Sequence, residues 1–214
     1  MMKIDSVAAQ PDMAGRHAVR FSDGTVMRLY RQTVEDFGLY PGLELDDARM
    51  KELNIAAGMM SAKMRAVRIV TSASVSKQEL ERRLVQKGEN PEQAKQAVDW
   101  MSEMRLVDDA QTAHQIVSQC IRKGYGLARA KQALYEKRIP KEFWQDALAD
   151  YPDQMEAIVR FLQTHLKDAD DPKQLRKTMD ALVRKGHSYS QIKQALNMLR
   201  LYTEDFPEED EWQT

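Results

Sequence analysis

The stretch RKGYGLARAKQAL, Arg122 to Leu134, places two glycines around a tyrosine directly after two cations. Its core recurs. KGENPEQAKQAV begins at Lys87, KGYGLARAKQAL at Lys123 and KGHSYSQIKQAL at Lys185. Each copy is Lys-Gly, six residues, then Lys-Gln-Ala and an aliphatic residue. Such a match at one spacing, three times over, points to a tandem helical array whose units bury their apolar stripes against one another. A glycine after a basic last turn is a helix stop, because the cation suits the negative end of the helix dipole and glycine accepts the left-handed turn. A phosphate-cradling loop would need a preceding strand, more glycines and a Lys-Ser/Thr end. Gly124-Tyr125-Gly126 follows a helix and a cation instead.

Helix starts are as legible as the stops. Ser76-x-x-Glu79, Asp108-x-x-Gln111 and Ser188-x-x-Gln191 have the capping-box pattern. Asn90-Pro91 and Asp171-Pro172 put a capping side chain before a proline. Pro140 and Pro152 are read as two further starts. The pattern predicts nine helices, at about 46–72, 76–87, 91–105, 108–123, 126–138, 140–149, 152–167, 172–185 and 188–202. Their apolar stripes are narrow, as in Val98, Met101 and Met104, or Ile192, Ala195, Leu196 and Leu199. The repeat is imperfect. Grouped in threes, the first and third copies join helices two and three of a unit, and the middle copy joins helices one and two.

Residues 1–45 differ. RHAVRFSDGTVMRLY reads as a hairpin around Ser22-Asp23-Gly24-Thr25. A three-residue loop is expected, with Phe21 opposite Met27 and Val19 opposite Leu29. KIDSVA is a candidate third strand, Thr33-x-x-Asp36 a single helical turn, and Pro41-Gly42 a loop. The expected fold is therefore mainly α, a tandem array of three-helix repeats behind a small N-terminal β-rich extension. The divisions fall at 1–45, 46–106, 107–150, 151–203 and an acidic tail at 204–214.

The composition, 43% hydrophobic and 30% charged over 214 residues, is that of a globular, helix-rich chain. No apolar run approaches the roughly 18 residues of a membrane span, and MMKIDSVAAQ lacks the apolar core of a signal peptide. A cytoplasmic location is expected. The net charge is −1, but EDFPEEDE (204–211) holds six acids, and without them 32 bases face 27 acids. A basic body with an acidic tail suits a nucleic-acid-associated protein, and equally a solvated tail on an ordinary body.

Chemistry-bearing clusters are weak. His17, His114, His165 and His187 are scattered, and none has a second ligand four residues on. Cys120 lies near Ile116 and Val117, where a buried thiol is expected. No catalytic, cofactor or metal residues are assigned. The basic segments say more. Residues 122–141 hold seven bases against Glu136, and residues 172–200 hold seven against Asp180. The candidate partner-binding or DNA-binding residues are Arg122, Lys123, Tyr125, Arg129, Lys131 and Lys173, with Arg176, Lys177, Arg184, Lys185, Tyr189 and Lys193. The repeated Lys95, Lys131 and Lys193 either lay their stems over the core edge or present a row of cations. Tyr125 and Tyr189 either stack on a base or side chain of a partner, or close their turns by packing.

LVDDAQTA (106–113), RKGYGLARAKQAL and LVRKGHSYSQI (182–192) together resemble the recurrent segments of the RecX family, bacterial regulators of the RecA recombinase. Asp108 and Asp109, Gly124 and Gly126, and Arg184-Lys185-Gly186 match the family pattern, and SKQELERRL (76–84) resembles its first helical unit. The resemblance covers about residues 60–200. This chain departs from it at Lys137-Arg138-Ile139, where the family often has Lys-Gly-Ile, and at His187, where phenylalanine is common. The resemblance implies a non-enzymatic array of three-helix units without cofactors. Its implied partners are RecA, the RecA filament on DNA and, weakly, single-stranded DNA itself, with no membrane and no small-molecule substrate. It also implies limited filament growth and depressed strand exchange, ATP hydrolysis and repressor cleavage. The alternative is a helical-repeat adaptor that contacts only protein.

Overall fold

A computed structural model describes residues 1–168 and 171–204, with side chains through Leu199. The acidic tail lies outside the described residues beyond Glu204. The chain forms two compact units, divided between Asp108 and Asp109.

The first unit opens with strands β1 (Met2–Val7), β2 (Arg16–Phe21) and β3 (Val26–Tyr30), the short helix α1 (Arg31–Asp36) and strand β4 (Glu44–Leu45). They build an antiparallel sheet in the order β3-β2-β1-β4. KIDSVA thus falls in an interior strand. The hairpin loop is three residues long, but its register differs from the expected one. Val19 faces Met27 and His17 faces Leu29. The slip is two residues, so each side chain keeps its face. Ile4, Val19, Phe21, Leu29 and Leu45 are buried in one cluster. The single helical turn expected from Thr33 starts earlier, at Arg31, which leaves Thr33 buried inside it.

Helix α2 (Asp47–Ser72) is 26 residues long and serves two cores. The Asp46 carboxylate caps it, accepting from the Arg49 N–H at 2.7 Å. Leu53 packs into the sheet cluster, while Ala62, Ala66 and Ile69 pack with α3 (Lys77–Gln86) and α4 (Pro91–Glu103). Ser76 and Asn90 cap α3 and α4 as the sequence predicts. Val98 and Met101 are buried, but Met104 is 57% exposed. Met104 is the C-cap of α4, where its N–H still bonds the Trp100 carbonyl at 3.1 Å.

The second unit holds α5 (Asp109–Arg122), α6 (Leu127–Glu136), a 3-10 turn (Lys141–Phe143) leading into α7 (Trp144–Leu148), α8 (Met155–His165), α9 (Pro172–Arg184) and α10 (Tyr189–Glu204). Ala113, Val117, Leu134, Ile139 and Ala147 form one core, and Ile158, Leu162, Leu182, Ile192 and Ala195 another. Each is the centre of one three-helix repeat. Pro140 starts only the 3-10 turn, and Pro152 starts no helix. The Asp153 carboxylate accepts from the Met155 N–H at 3.1 Å, and α8 begins there. Ser188 and Gln191 form a reciprocal box: Ser188 N–H donates to Gln191 Oε1 at 3.2 Å, and Gln191 N–H donates to Ser188 Oγ at 3.3 Å. Gly88, Gly124 and Gly186 all have left-handed backbone, at φ +90°, +61° and +89°.

Candidate partner interface

The second and third copies of the Lys-Gly motif end different helices of their repeats, and the fold sets them face to face. Gly126 N–H donates to the Lys185 carbonyl at 2.8 Å. His187 Nε2–H donates to the Gly124 carbonyl at 3.1 Å. Lys185 Nζ approaches the Lys123 carbonyl at 3.4 Å. The fit tolerates no side chain at either facing glycine. A Cβ on Gly126 would run into the Gly186 carbonyl, and a Cβ on Gly186 would run into Arg129. The out-of-phase middle copy therefore has a structural consequence. It turns the α5–α6 joint of one repeat toward the α9–α10 joint of the next.

This joint absorbs several of the candidate residues. Lys185 Nζ lies 5.3 Å from the Tyr125 ring centroid and 5.4 Å from that of Phe161, and Lys123 Nζ lies 6.0 Å from Tyr125. Such cation–π contacts contribute about 0.5–1 kcal/mol each at exposed sites. Tyr125 is half-buried. Tyr151 Oη–H donates to the Tyr125 carbonyl at 2.7 Å, and burial pushes its pKa up to about 12. Cys120 is free and buried, and burial pushes its thiol up as well, against a pull from Arg129 and Lys123. Arg129 also bonds Glu136 at 3.1 Å.

The other cations are arranged differently. On α9, Lys173, Arg176, Lys177 and Arg184 are all exposed, and with Asp180 they fall at i, i+3, i+4, i+7 and i+11. That spacing is one helix face, roughly 16 Å long. The opposite face buries Thr178 and Leu182. Lys173 and Lys177 also line a cleft of about 400 Å³ with Phe161 and His165, whose rings stack at 4.0 Å. A second cleft, about 710 Å³, runs past Lys131, Leu127, Val183 and the start of α10. Tyr189, at the first position of α10, is 57% exposed, with Lys193 Nζ 5.1 Å from its ring. Arg122 stands apart on α5, beside His114, Gln115 and Ser118. The candidates thus resolve into a joint (Lys123, Tyr125, Lys185, with Arg129 against Gly186), a stripe (the four α9 cations), a cleft edge (Lys131) and an exposed pair at the start of α10 (Tyr189, Lys193). Lys95, of the first repeat, is exposed on α4.

Comparison with known proteins follows the same segments. Residues 108–148 match the family model for the second three-helix domain of RecX, and residues 153–196 match that for its third. The chain belongs to the RecX family. Among RecX regulatory proteins, that of Vibrio parahaemolyticus is 28% identical over 144 residues, spanning 66% of this chain and 93% of its own length. That of Cronobacter sakazakii is 36% identical over 96 residues, 40% of this chain and 58% of its own. That of Clostridioides difficile is 24% identical across 94% of this chain and 97% of its own. In fold, the chain is similar to a crystal structure of a RecX regulatory protein, with a TM-score of 0.65, 20% identity, and 92% and 100% of the two chains covered. It is also similar to RecX from Lactobacillus salivarius, with a TM-score of 0.57, 21% identity, and 68% and 99% covered.

Against the RecX pattern, both departures have a physical reading. Arg138 takes the left-handed turn at φ +56°, where glycine would sit without strain. His187 is 4% exposed and fills the place of an apolar ring, but brings polar nitrogens with it. The partners of Lys185, namely Phe161 and the Lys123 carbonyl, have no signal in the sequence, because they lie 24 and 62 residues away. Among the described residues no group of three His, Cys, Asp or Glu side chains is placed to hold a metal ion. No helix among them is long and apolar enough to cross a membrane.

Proposed function

We propose that this chain regulates RecA by binding the RecA filament on DNA, with the exposed face of α9 as its principal contact to the phosphate backbone. The supporting observation is the stripe of Lys173, Arg176, Lys177 and Arg184, set on one face with a single acid among them. A solvated helix face ordinarily mixes signs at i,i+4. Cations spaced along a rod suit a linear polyanion, and each phosphate they neutralise releases counterions. Binding of this kind needs surface, shape and charge, with no reacting group. By occupying RecA–RecA or RecA–DNA surface the chain shifts filament assembly by mass action, and so depresses strand exchange, ATP hydrolysis and repressor cleavage. Such a regulator works in the cytoplasm.

Lys123 and Lys185 are poor test positions, because they also hold the joint together. The test replaces Lys173, Arg176, Lys177 and Arg184 with alanine and measures single-stranded DNA binding against salt, alongside inhibition of RecA ATPase. The salt slope should flatten by roughly 3, at about 0.7 per phosphate contact. Inhibition should weaken while helix content by circular dichroism is unchanged. A variant that inhibits fully with the wild-type slope removes the stripe from the mechanism. If the wild-type chain binds no DNA at low salt, the protein-only adaptor is the better reading.

A further inference from the structure

His187 is the one described side chain with a fully buried polar atom that lacks a hydrogen-bond partner, its Nδ1. Its other nitrogen, Nε2, must carry the proton, because it faces the Gly124 carbonyl, which only accepts. The ring is therefore neutral in the closed joint, with a bare lone pair at Nδ1. A second proton would have to go to Nδ1, creating a buried imidazolium whose new N–H has no acceptor.

The surroundings are hostile to that charge from several sides. The titratable groups around the joint include Cys120 of α5, Lys123 and Tyr125 of the α5–α6 turn, Arg129 and Lys131 of α6, Tyr151 before α8, Lys185 of α9, and Lys193 of α10. The nearby carboxylates are engaged elsewhere. Glu136 is bonded by Arg129, Asp153 accepts from the Met155 N–H, and Asp180 stands on the exposed face of α9. Burial holds the imidazole below its ordinary pKa, the bond to Gly124 opposes this, and Lys185 adds to the lowering.

We infer that His187 makes the joint between the second and third repeats proton-sensitive: closed while the ring is neutral, and opened by acid. The sign follows from linkage. The open joint binds the proton at an ordinary histidine pKa of about 6.5, and the closed joint binds it only at lower pH. Closure is therefore fully favoured above that range and weakens as pH falls toward the folded value. The device couples the orientation of α6 and α9 to pH without involving any partner.

The Gly126 amide reports on it directly, since that N–H bonds across the joint to the Lys185 carbonyl. Amide exchange of the full chain is measured by NMR at pH 7.5 and 5, corrected for intrinsic rates. The Gly124 amide, bonded within its own turn to Ile121, is the control. Protection at Gly126 should fall by up to about 30-fold at pH 5, the factor for a group that titrates near 6.5 only when the joint is open. Protection at Gly124 should change less than about threefold by the same reasoning. His187→Phe and His187→Gln should both abolish the fall, and the glutamine variant keeps a donor for Gly124 if the phenylalanine variant does not fold. Protection at Gly126 that is independent of pH overturns the inference, as does a pH-dependent fall that survives in either folded variant.

Discussion

Gly126→Ala isolates the steric fit of the joint. Gly126 has φ −74° and ψ 163°, an ordinary extended conformation, so alanine meets no conformational strain there. The added methyl instead meets the Gly186 carbonyl and the His187 amide, both backbone, and the two turns must part. Parting them breaks the Gly126–Lys185 and His187–Gly124 hydrogen bonds, at about 1 kcal/mol each. It also withdraws the Lys185 ammonium from between Tyr125 and Phe161, at about 0.5 kcal/mol for each ring. The expected loss is about 3 kcal/mol, roughly a hundredfold in the equilibrium. Gly124→Ala is the matched control. Nothing lies within 4 Å of its added methyl, but φ is +61°, so the cost is conformational and about 1 kcal/mol. Trp144 packs on the core of the second repeat, and its Nε1–H donates to the Ile139 carbonyl at 3.0 Å. With Trp100 and Trp212 changed to phenylalanine, its fluorescence follows urea unfolding of this unit. If Gly126→Ala costs no more than Gly124→Ala, the two turns are not in the close contact described.

Two further predictions concern the first unit. Glu79 is 5% exposed, and its carboxyl is lowered from 4.5 to about 2, chiefly by the Arg82 hydrogen bonds and then by Arg83, against the opposing effect of burial. That difference corresponds to roughly 3 kcal/mol, halved to about 1.5 kcal/mol because the arginines are about one-third exposed. The contribution is present above pH 4.5 and lost as pH falls toward 2. Urea unfolding followed through Trp100 should thus show wild type losing its advantage over Glu79→Gln across that window, and a constant difference would refute the assignment. Arg105 is exposed with φ +56° at the end of α4. Arg105→Gly should raise the unfolding midpoint, by a net 0.5–1 kcal/mol once the greater freedom of unfolded glycine is counted. A lower midpoint would show that the side chain makes a compensating contact.

The helices were legible because their determinants are local. Asp46, Ser76, Asn90, Asp171 and Ser188 cap where their side chains reach an N–H two or three residues on, and the Lys-Gly stops need only one permissive φ. Errors arose where an element's extent depends on distant packing. Met104 reads as a stripe residue but stands exposed at the C-cap of α4. Pro152 reads as a helix start until Asp153 delays α8 to Met155. The expected hairpin pairs missed by two because a three-residue loop at Ser22–Gly24 sets Phe21 against Thr25, whose carbonyl accepts from the Phe21 N–H, while alternation fixes only the face of each side chain.

The sequence by itself determined the repeat architecture, the run of cations within 172–200 and the family, since each rests on spacing within a few residues or on matched segments. It also marked His187 and Arg138 as departures. Only the tertiary structure decided which cations are spent inside the joint and which face solvent. That choice depends on a contact between turns about 60 residues apart, where the absence of two Cβ atoms lets backbone meet backbone. No local propensity records such a contact, because each glycine has the same local signature with or without the other opposite it.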